Sequence, residues 1–341
     1  MNKDLKEKSL EELEQMVVAL DGKPYLAKYI LTFIHRQGAT DVSQITPLSK
    51  DFRKRLSDAD YYISQLKTFD KLTDPDGTGK YQFELEDGSR IESVVLTDDN
   101  RRTLCVSTQV GCAMNCVFCA TGRIKLRRNL TAGEIVDQVI AAERDGAKIS
   151  NVVYMGMGEP LLNYDAVLKS VRILNHPAGK NIGIRHLTIS TCGIAPAIRQ
   201  LGDEDLQPRL AISLNAPTDA IRNKLMPINK KYPIAELLEA VRFYQASTRQ
   251  RVTFEYVMIN GLNDTVTHGR MLVKVLRGIK CNVNLIEHNP HPGCELVGSG
   301  RERIERFESV LREAAIETTL RFRMGRSINA ACGQLGADLQ L

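Results

Sequence analysis

The sequence predicts an α/β protein: a partial (β/α)6 barrel of parallel strands, preceded by a short helical segment and a hairpin. Three observations carry this. From about residue 100 onward, β-rich runs alternate with helical runs, the pattern of parallel β/α units. Before residue 95 the periodicity is first helical and then that of alternating strands. Over 341 residues, 43% hydrophobic and 26% charged side chains supply a sizeable core, and no run approaches the ~18 apolar residues of a membrane span.

The elements follow in order. SLEELEQMVVAL and YLAKYILTFIHRQ carry apolar residues at helical spacing, and TPLSKDFRKRL offers Ser49 or Thr46 as the cap of a third short helix. KYQFELEDG and SRIESVVLTDD read as strands split by Asp87-Gly88, a hairpin signal. The barrel strands are TLCVSTQV, NVVYMGM, RHLTIS, RLAISLN, VTFEYVM and VNLIEH. Between and after them lie the helical stretches TAGEIVDQVIAAERDG, YDAVLKSVRILN, PIAELLEAVRFYQAS, TVTHGRMLVKVLRG and RERIERFESVLREAA, with TTLRFRM as a last strand. The expected division is residues 1–95, a helical accessory unit plus hairpin, and residues 96–341, a barrel with its site at the strand C-terminal ends. No 20–50-residue repeat or low-complexity segment interrupts the chain.

The N-terminal stretch MNKDLKEKSLEELEQ is charged and lacks an apolar signal core, so a cytoplasmic location and no membrane partner are expected. In that reducing compartment, four cysteines between Cys105 and Cys119 read as a metal or catalytic site rather than a disulfide framework. The net charge of +5 is mild. Its distribution is more informative: Arg123, Lys125, Arg127 and Arg128 follow the cysteines with no acid among them. Alone, such a run is a solvated loop; at the mouth of a metal site it becomes a candidate for phosphate contact.

Cys112, Cys116 and Cys119 form C-A-M-N-C-V-F-C just after the first barrel strand, where a βα loop belongs. Three thiolates from one loop suit a [4Fe–4S] cluster with one iron left open. A structural zinc site wants four closed ligands, and a ferredoxin a fourth cysteine; Cys105 lies awkwardly upstream. A zinc-stabilised module or an electron carrier stays open as the reading to be excluded by metal analysis. One unit later, Met155-Gly156-Met157-Gly158-Glu159-Pro160 ends a strand, with glycines that let a ligand approach the backbone and a glutamate that accepts from an amino group. Ser190, Ser213-Leu214-Asn215 and Asn289 end or follow later strands. Cys192, Cys281 and Cys294 read as packing residues, with a second cluster built from them left open at a loose spacing.

The three-cysteine loop resembles the radical S-adenosylmethionine (SAM) enzymes, in which the open iron binds the amino and carboxylate groups of SAM. With TLCVSTQVGCAMNCVFCATGRIKLRR, GMGEP, LTISTCGI, ISLNAP, KLMPINKKYP, INGLNDT, VNLIEHNPHPG and AACGQL, the resemblance narrows to the RlmN/Cfr family of RNA adenine methyltransferases, from roughly residue 20 to the C-terminus.

The resemblance implies a radical-SAM, TIM-like partial barrel in which Cys112, Cys116 and Cys119 hold the cluster. It places SAM against Gly158, Glu159, Ser190, Ser213, Leu214, Asn215 and Asn289. It makes Cys332 the methyl carrier, Cys105 the second catalytic cysteine and Glu92 a proton acceptor. It further implies two SAM per turnover and a Cys105–Cys332 disulfide that releases product. The implied partners are 23S ribosomal RNA, transfer RNA beside the anticodon, and an external electron donor such as flavodoxin or ferredoxin; the expected state is a monomer. Methylation at C2 of adenosine is expected, with C8, as in Cfr, the alternative. One departure stands out: the family's SLHAP is SLNAP here, so Asn215 hydrogen-bonds but cannot titrate.

Overall fold

The structure, a computed structural model, describes residues 3–98, 101–321 and 325–339. Three helices open the chain: α1 (Leu10–Ala19), α2 (Leu26–His35) and α3 (Lys50–Asp58). Ser9 caps α1 in a capping box with Glu12, and Ser49, rather than Thr46, caps α3. Their apolar faces meet in a core of their own, including Leu13, Val17, Ile30, Ile34, Phe52 and Leu56. This unit docks on the barrel through a buried ion pair, Lys6 Nζ to Asp137 Oδ1 at 2.7 Å.

The predicted hairpin is part of a three-stranded meander. Strands β1 (Lys67–Thr73), β2 (Gly79–Glu84) and β3 (Arg90–Asp98) pair antiparallel. The Asp87-Gly88 turn lies between β2 and β3, with Gly88 at φ +77°. β1 escapes sequence reading because all seven of its residues are exposed, so an edge strand shows no apolar alternation. Strands β2 and β3 contribute Tyr81, Phe83, Ile91, Val94 and Val95 to the barrel's core, and β3 pairs with the first barrel strand. The hairpin therefore continues the barrel's sheet.

Strand β4 (Arg101–Cys105) begins the parallel series. The predicted run through Val110 breaks after Cys105: Ser107 N donates to the Gln138 side chain and Thr108 N to Met157 O, which divert the backbone. Gln109–Val110 (β5) then pairs with Arg128–Asn129 (β6) and closes a loop. The series proceeds through α4 (Ala132–Arg144), β7 (Asn151–Tyr154), α5 (Tyr164–Asn175), β8 (Leu187–Thr191), α6 (Ala195–Gly202) and β9 (Arg209–Ser213). It ends with α7 (Asp219–Leu225), α8 (Ile234–Thr248), β10 (Val252–Met258), α9 (Val266–Val275), β11 (Cys281–Glu287), α10 (Arg301–Glu313) and β12 (Glu317–Arg321). The end of the predicted TTLRFRM strand, residues 322–324, lies outside the described residues. Helices α6 and α7 were not expected, because eight and seven residues hold too few turns to show a period.

The sheet is ten-stranded, ordered β1-β2-β3-β4-β7-β8-β9-β10-β11-β12. From β4 through β12 every neighbouring pair is parallel, and among the described residues the sheet is open because β12 does not pair with β4. Among the described residues, no helix is long and apolar enough to cross a membrane.

His35, at the end of α2, is fully buried and neither ring nitrogen has a partner among the described residues. Burial first, then the cations Lys6 and Lys180, depress its pKa from 6.5 to about 3. Below pH 6.5 the unfolded chain takes up a proton that the folded chain refuses, so acidification costs up to about 1.4 kcal/mol per pH unit. We expect His35→Leu to lessen the loss of stability between pH 6.5 and 4.5, measured by urea unfolding. An unchanged pH profile would remove His35 as the cause.

Candidate active site

The C-terminal ends of the parallel strands surround an open cavity of about 150 Å³. Cys112, Cys116 and Cys119 line one side of it. Their loop is pinned between β5 and β6, with Cys112 N donating to Ile124 O and Arg127 N to Val110 O. It packs so tightly that a Cβ on Gly122 would sit 2.7 Å from Cys116 O. Burial pushes the Cys112 thiol up to about 12 and the Cys119 thiol to about 11, and neighbouring thiolates add to both shifts. Negative charge is costly on this wall unless positive charge neutralises it, as a bound metal centre does.

Glu159 follows β7, is buried and lines the same cavity. Its Oε1 accepts from Leu161 N at 3.0 Å and its Oε2 from Cys192 N at 2.7 Å. Burial raises its pKa, and the backbone donors oppose that rise. The preceding Gly158 has φ +104°, and a Cβ there would lie 2.6 Å from Gln109 Cβ. Glycine is therefore required at this position by both conformation and space.

Ser190, Ser213, Asn215 and Asn289 all line the cavity. Leu214 does not: its side chain is fully buried, and its carbonyl accepts from Arg222 Nε. Asn215 sits at φ +58°, a left-handed conformation that asparagine tolerates better than most residues. Its Oδ1 accepts from Val257 N at 2.8 Å, so it braces the ends of β9 and β10. Cys332 is exposed at the cavity, while Cys105 is buried at the end of β4 and Glu92 is buried in β3, both off the lining. Burial, then the neighbouring Cys332, raises the Cys105 thiol. All eight cysteines are free, so the disulfide implied for Cys105 and Cys332 is not present here.

The basic run divides. Arg128 makes a bidentate pair with Glu134 and a further bond to Asp87, and Arg123 donates to Pro292 O. Lys125 and Arg127 are exposed and form no ion pair among the described residues.

Several lining residues went unread in the sequence. Cys192, taken as a packing residue, brings its Sγ to 3.8 Å from Cys116 Sγ. Glu255 and Arg321 line the cavity beside Cys332; burial raises Glu255, and Arg321 and an Asn284 hydrogen bond oppose it. The available signal was an acid inside the otherwise buried strand V-T-F-E-Y-V-M. Beneath the rim lies Arg222, a fully buried guanidinium. It donates to Cys192 O, Ser213 O, Leu214 O and Asn229 Oδ1, at 2.6 to 3.1 Å.

These residues fit a four-iron cluster with SAM. Among the described residues, no three His, Cys, Asp or Glu side chains converge as ligands of a single metal ion would. A cubane needs no such convergence, because it takes each thiolate on a separate iron. Among the described residues, the buried Asn289 Oδ1 and His288 Nδ1 on the cavity lining have no hydrogen-bond partner and are available to a ligand.

An open parallel β/α sheet whose strand ends hold a three-cysteine loop beside a glycine-glutamate turn defines a radical-SAM enzyme, and residues 106–267 match the Radical SAM superfamily. Residues 3–61 match the ribosomal RNA large subunit methyltransferase N-terminal domain. The chain is 45% identical over 333 residues to the probable dual-specificity RNA methyltransferase RlmN of Geobacillus kaustophilus (strain HTA426), covering 96% of this chain and 91% of that one. It is 48% identical over 335 residues to the protein of the same description from Thermotoga maritima (strain ATCC 43589 / DSM 3109 / JCM 10099 / NBRC 100826 / MSB8), covering 98% and 97%. A crystal structure of a radical SAM methyltransferase from Sphaerobacter thermophilus superposes with a TM-score of 0.93 at 44% identity, covering 99% of this chain and all of that one. The chain belongs to the RlmN family of radical-SAM RNA methyltransferases, and its cofactors are those of that family, a [4Fe–4S] cluster and SAM.

Arg222 yields a direct test. Arg222→Ala leaves several buried carbonyls without a donor and should destabilise the fold by about 3 kcal/mol or more in urea unfolding. Arg222→Lys keeps the charge but loses the planar fork, and should recover only part of the loss. Wild-type stability in the alanine variant would show that the strand ends do not depend on this group.

Proposed function

We propose that this enzyme methylates C2 of an adenosine in 23S ribosomal RNA, at the peptidyl transferase centre, and of transfer RNA beside the anticodon. The observation that carries the reading is that Cys332 lines the same cavity as the three cysteines of the C-x3-C-x2-C loop. The choice of C2 and of two RNA classes is supported by the near full-length relatives described as dual-specificity enzymes and by the match at residues 3–61. On this reading residues 1–95 form the RNA-contacting accessory part and residues 96–341 the catalytic part, in a cytoplasmic monomer served by an external reductant such as flavodoxin or ferredoxin.

An amidine ring carbon is electrophilic, so direct displacement on SAM does not methylate it, and a carrier is needed. When bound, the reduced cluster and SAM supply a 5′-deoxyadenosyl radical. Cys332 would give up its thiol proton and take a methyl group by displacement, and that S-methyl group would yield one hydrogen atom to the radical. The resulting carbon bonds to C2, linking protein and RNA. With the adduct's odd electron returned to the redox chain that supplied it, Cys105 would support loss of the ring proton; its thiolate would then bond to the Cys332 sulfur while the exocyclic carbon leaves with the carbon–sulfur electron pair and takes a proton, freeing the methylated base. Gly158, Glu159, Ser190, Ser213, Asn215 and Asn289 bind SAM, the backbone of Leu214 serving from beneath. Glu92 would act as proton acceptor only by releasing the groups it already holds. Lys125 and Arg127 contact phosphate.

Digesting RNA modified by the enzyme to nucleosides, and comparing retention with both authentic methyladenosines, tests the regiochemistry. We expect 2-methyladenosine; product co-eluting only with 8-methyladenosine would move the chain to the other branch. Cys116→Ala should lose both the iron and the activity, and an iron-replete, active variant would sink the radical-SAM assignment of that loop. Cys332→Ala should form no product, whereas Cys105→Ala should leave RNA covalently attached to Cys332. Neutralising Lys125 and Arg127 should flatten the log–log salt dependence of RNA binding by about one to two units; an unchanged slope would return both to the solvent.

A further inference from the structure

The segment 325–339, which carries Cys332, holds no strand and only a single helical turn, Arg326–Ile328. Side chains from two directions hold it in place. On the cavity side, Asn289 Nδ2 donates to Cys332 O at 3.0 Å and Ala120 N to Gly333 O at 2.7 Å. The other set comes from the meander. Asp74 Oδ2 accepts from the amide and the hydroxyl of Ser327, at 2.8 and 2.6 Å. Asp76 Oδ2 accepts from Gly325 N at 2.8 Å. Lys80 Nζ reaches Asp338 Oδ2 at 2.8 Å and Glu92 Oε1 at 3.1 Å, and Glu92 Oε2 accepts from Gly336 N at 2.7 Å.

None of these four meander residues lines the cavity. Lys80 and Glu92 are 1% and 0% exposed, and a buried ion pair is weak evidence of a stabilising role by itself. Each nonetheless spends a charged contact on the Cys332 segment. Gln82 Nε2 also donates to Glu92 Oε1, so both oxygens of that carboxylate are engaged.

We propose that Asp74, Asp76, Lys80 and Glu92 form a latch that fixes the Cys332 segment over the strand-end cavity. They are positioning residues for the methyl-carrying sulfur, and Glu92 acts through Gly336 N rather than as a proton acceptor. This rests on the reading of Cys332 as the carrier.

The test uses the full-length, cluster-loaded enzyme. Asp74→Ala/Asp76→Ala alters the turn between β1 and β2. It should speed amide hydrogen exchange across 325–339 by about ten-fold or more, since hydrogen bonds to charged acceptors are lost. Exchange in β7 to β12 should stay as in the parent. The fraction of Cys332 methylated on incubation with SAM alone should fall, and kcat for RNA methylation should drop about ten-fold with KM for SAM unchanged. Glu92→Gln keeps an acceptor for Gly336 N and should retain more than a tenth of the activity, whereas Glu92→Ala should lose more.

Unchanged exchange in 325–339, or faster exchange with full Cys332 methylation and kcat, overturns the latch. A Glu92→Gln enzyme that stalls with RNA attached to Cys332 restores the proton-acceptor role and overturns the assignment of Glu92. RNA methylation by Cys332→Ala would refute the carrier reading alone, while the exchange data would still report on the latch.

Discussion

Strands that run in one direction deliver all their C-terminal ends to one rim, and the active site depends on that constraint. Where β4 and β7 to β12 stop, the backbone leaves the ladder and needs other partners for its polar groups. The residues at those ends meet that need and face the cavity at once. Glu159 holds the amides of Leu161 and Cys192, and Asn215 holds that of Val257. A cofactor site at this rim is built from groups the fold already requires there.

Arg222 shows how charge enters this arrangement. Its guanidinium is buried without a carboxylate in direct contact among the described residues and is satisfied by three backbone carbonyls and Asn229, which in turn donates to Asp219. Burial disfavours its charged form, and the nearby Cys192 and Cys116 favour it. It lies behind the wall that carries Cys116, so the same group that ties the ends of β8 and β9 also places a cation behind the thiol-rich side of the cavity. Structure and electrostatics are coupled here, and substitutions change both together.

The Cys332 segment obeys a different rule. It belongs to no strand, so its position comes from side-chain acceptors on the meander and from donors around the cavity. A segment held by a few charged hydrogen bonds can open locally at less cost than a barrel strand. On the proposed role of Cys332, a sulfur that meets SAM and then an RNA base profits from that kind of attachment.

The sequence by itself determined the alternation of strands and helices, the cysteine loop and the polar residues at successive strand ends. Such signals are local: a period of two or of 3.6, a cap such as Ser49, a spacing of three and two between cysteines. The edge strand β1 was invisible because none of its residues is buried, and α6 and α7 because they are short. Only the tertiary structure decided that Cys192 stands beside Cys116, that Glu255 and Arg321 face Cys332, that Arg128 is spent on Glu134 and Asp87, and that Glu92 grips Gly336. These pairings join residues up to 244 positions apart. No periodicity encodes a contact of that range; it exists only once a parallel sheet has brought the strand ends to one rim and the chain's last segment has crossed it.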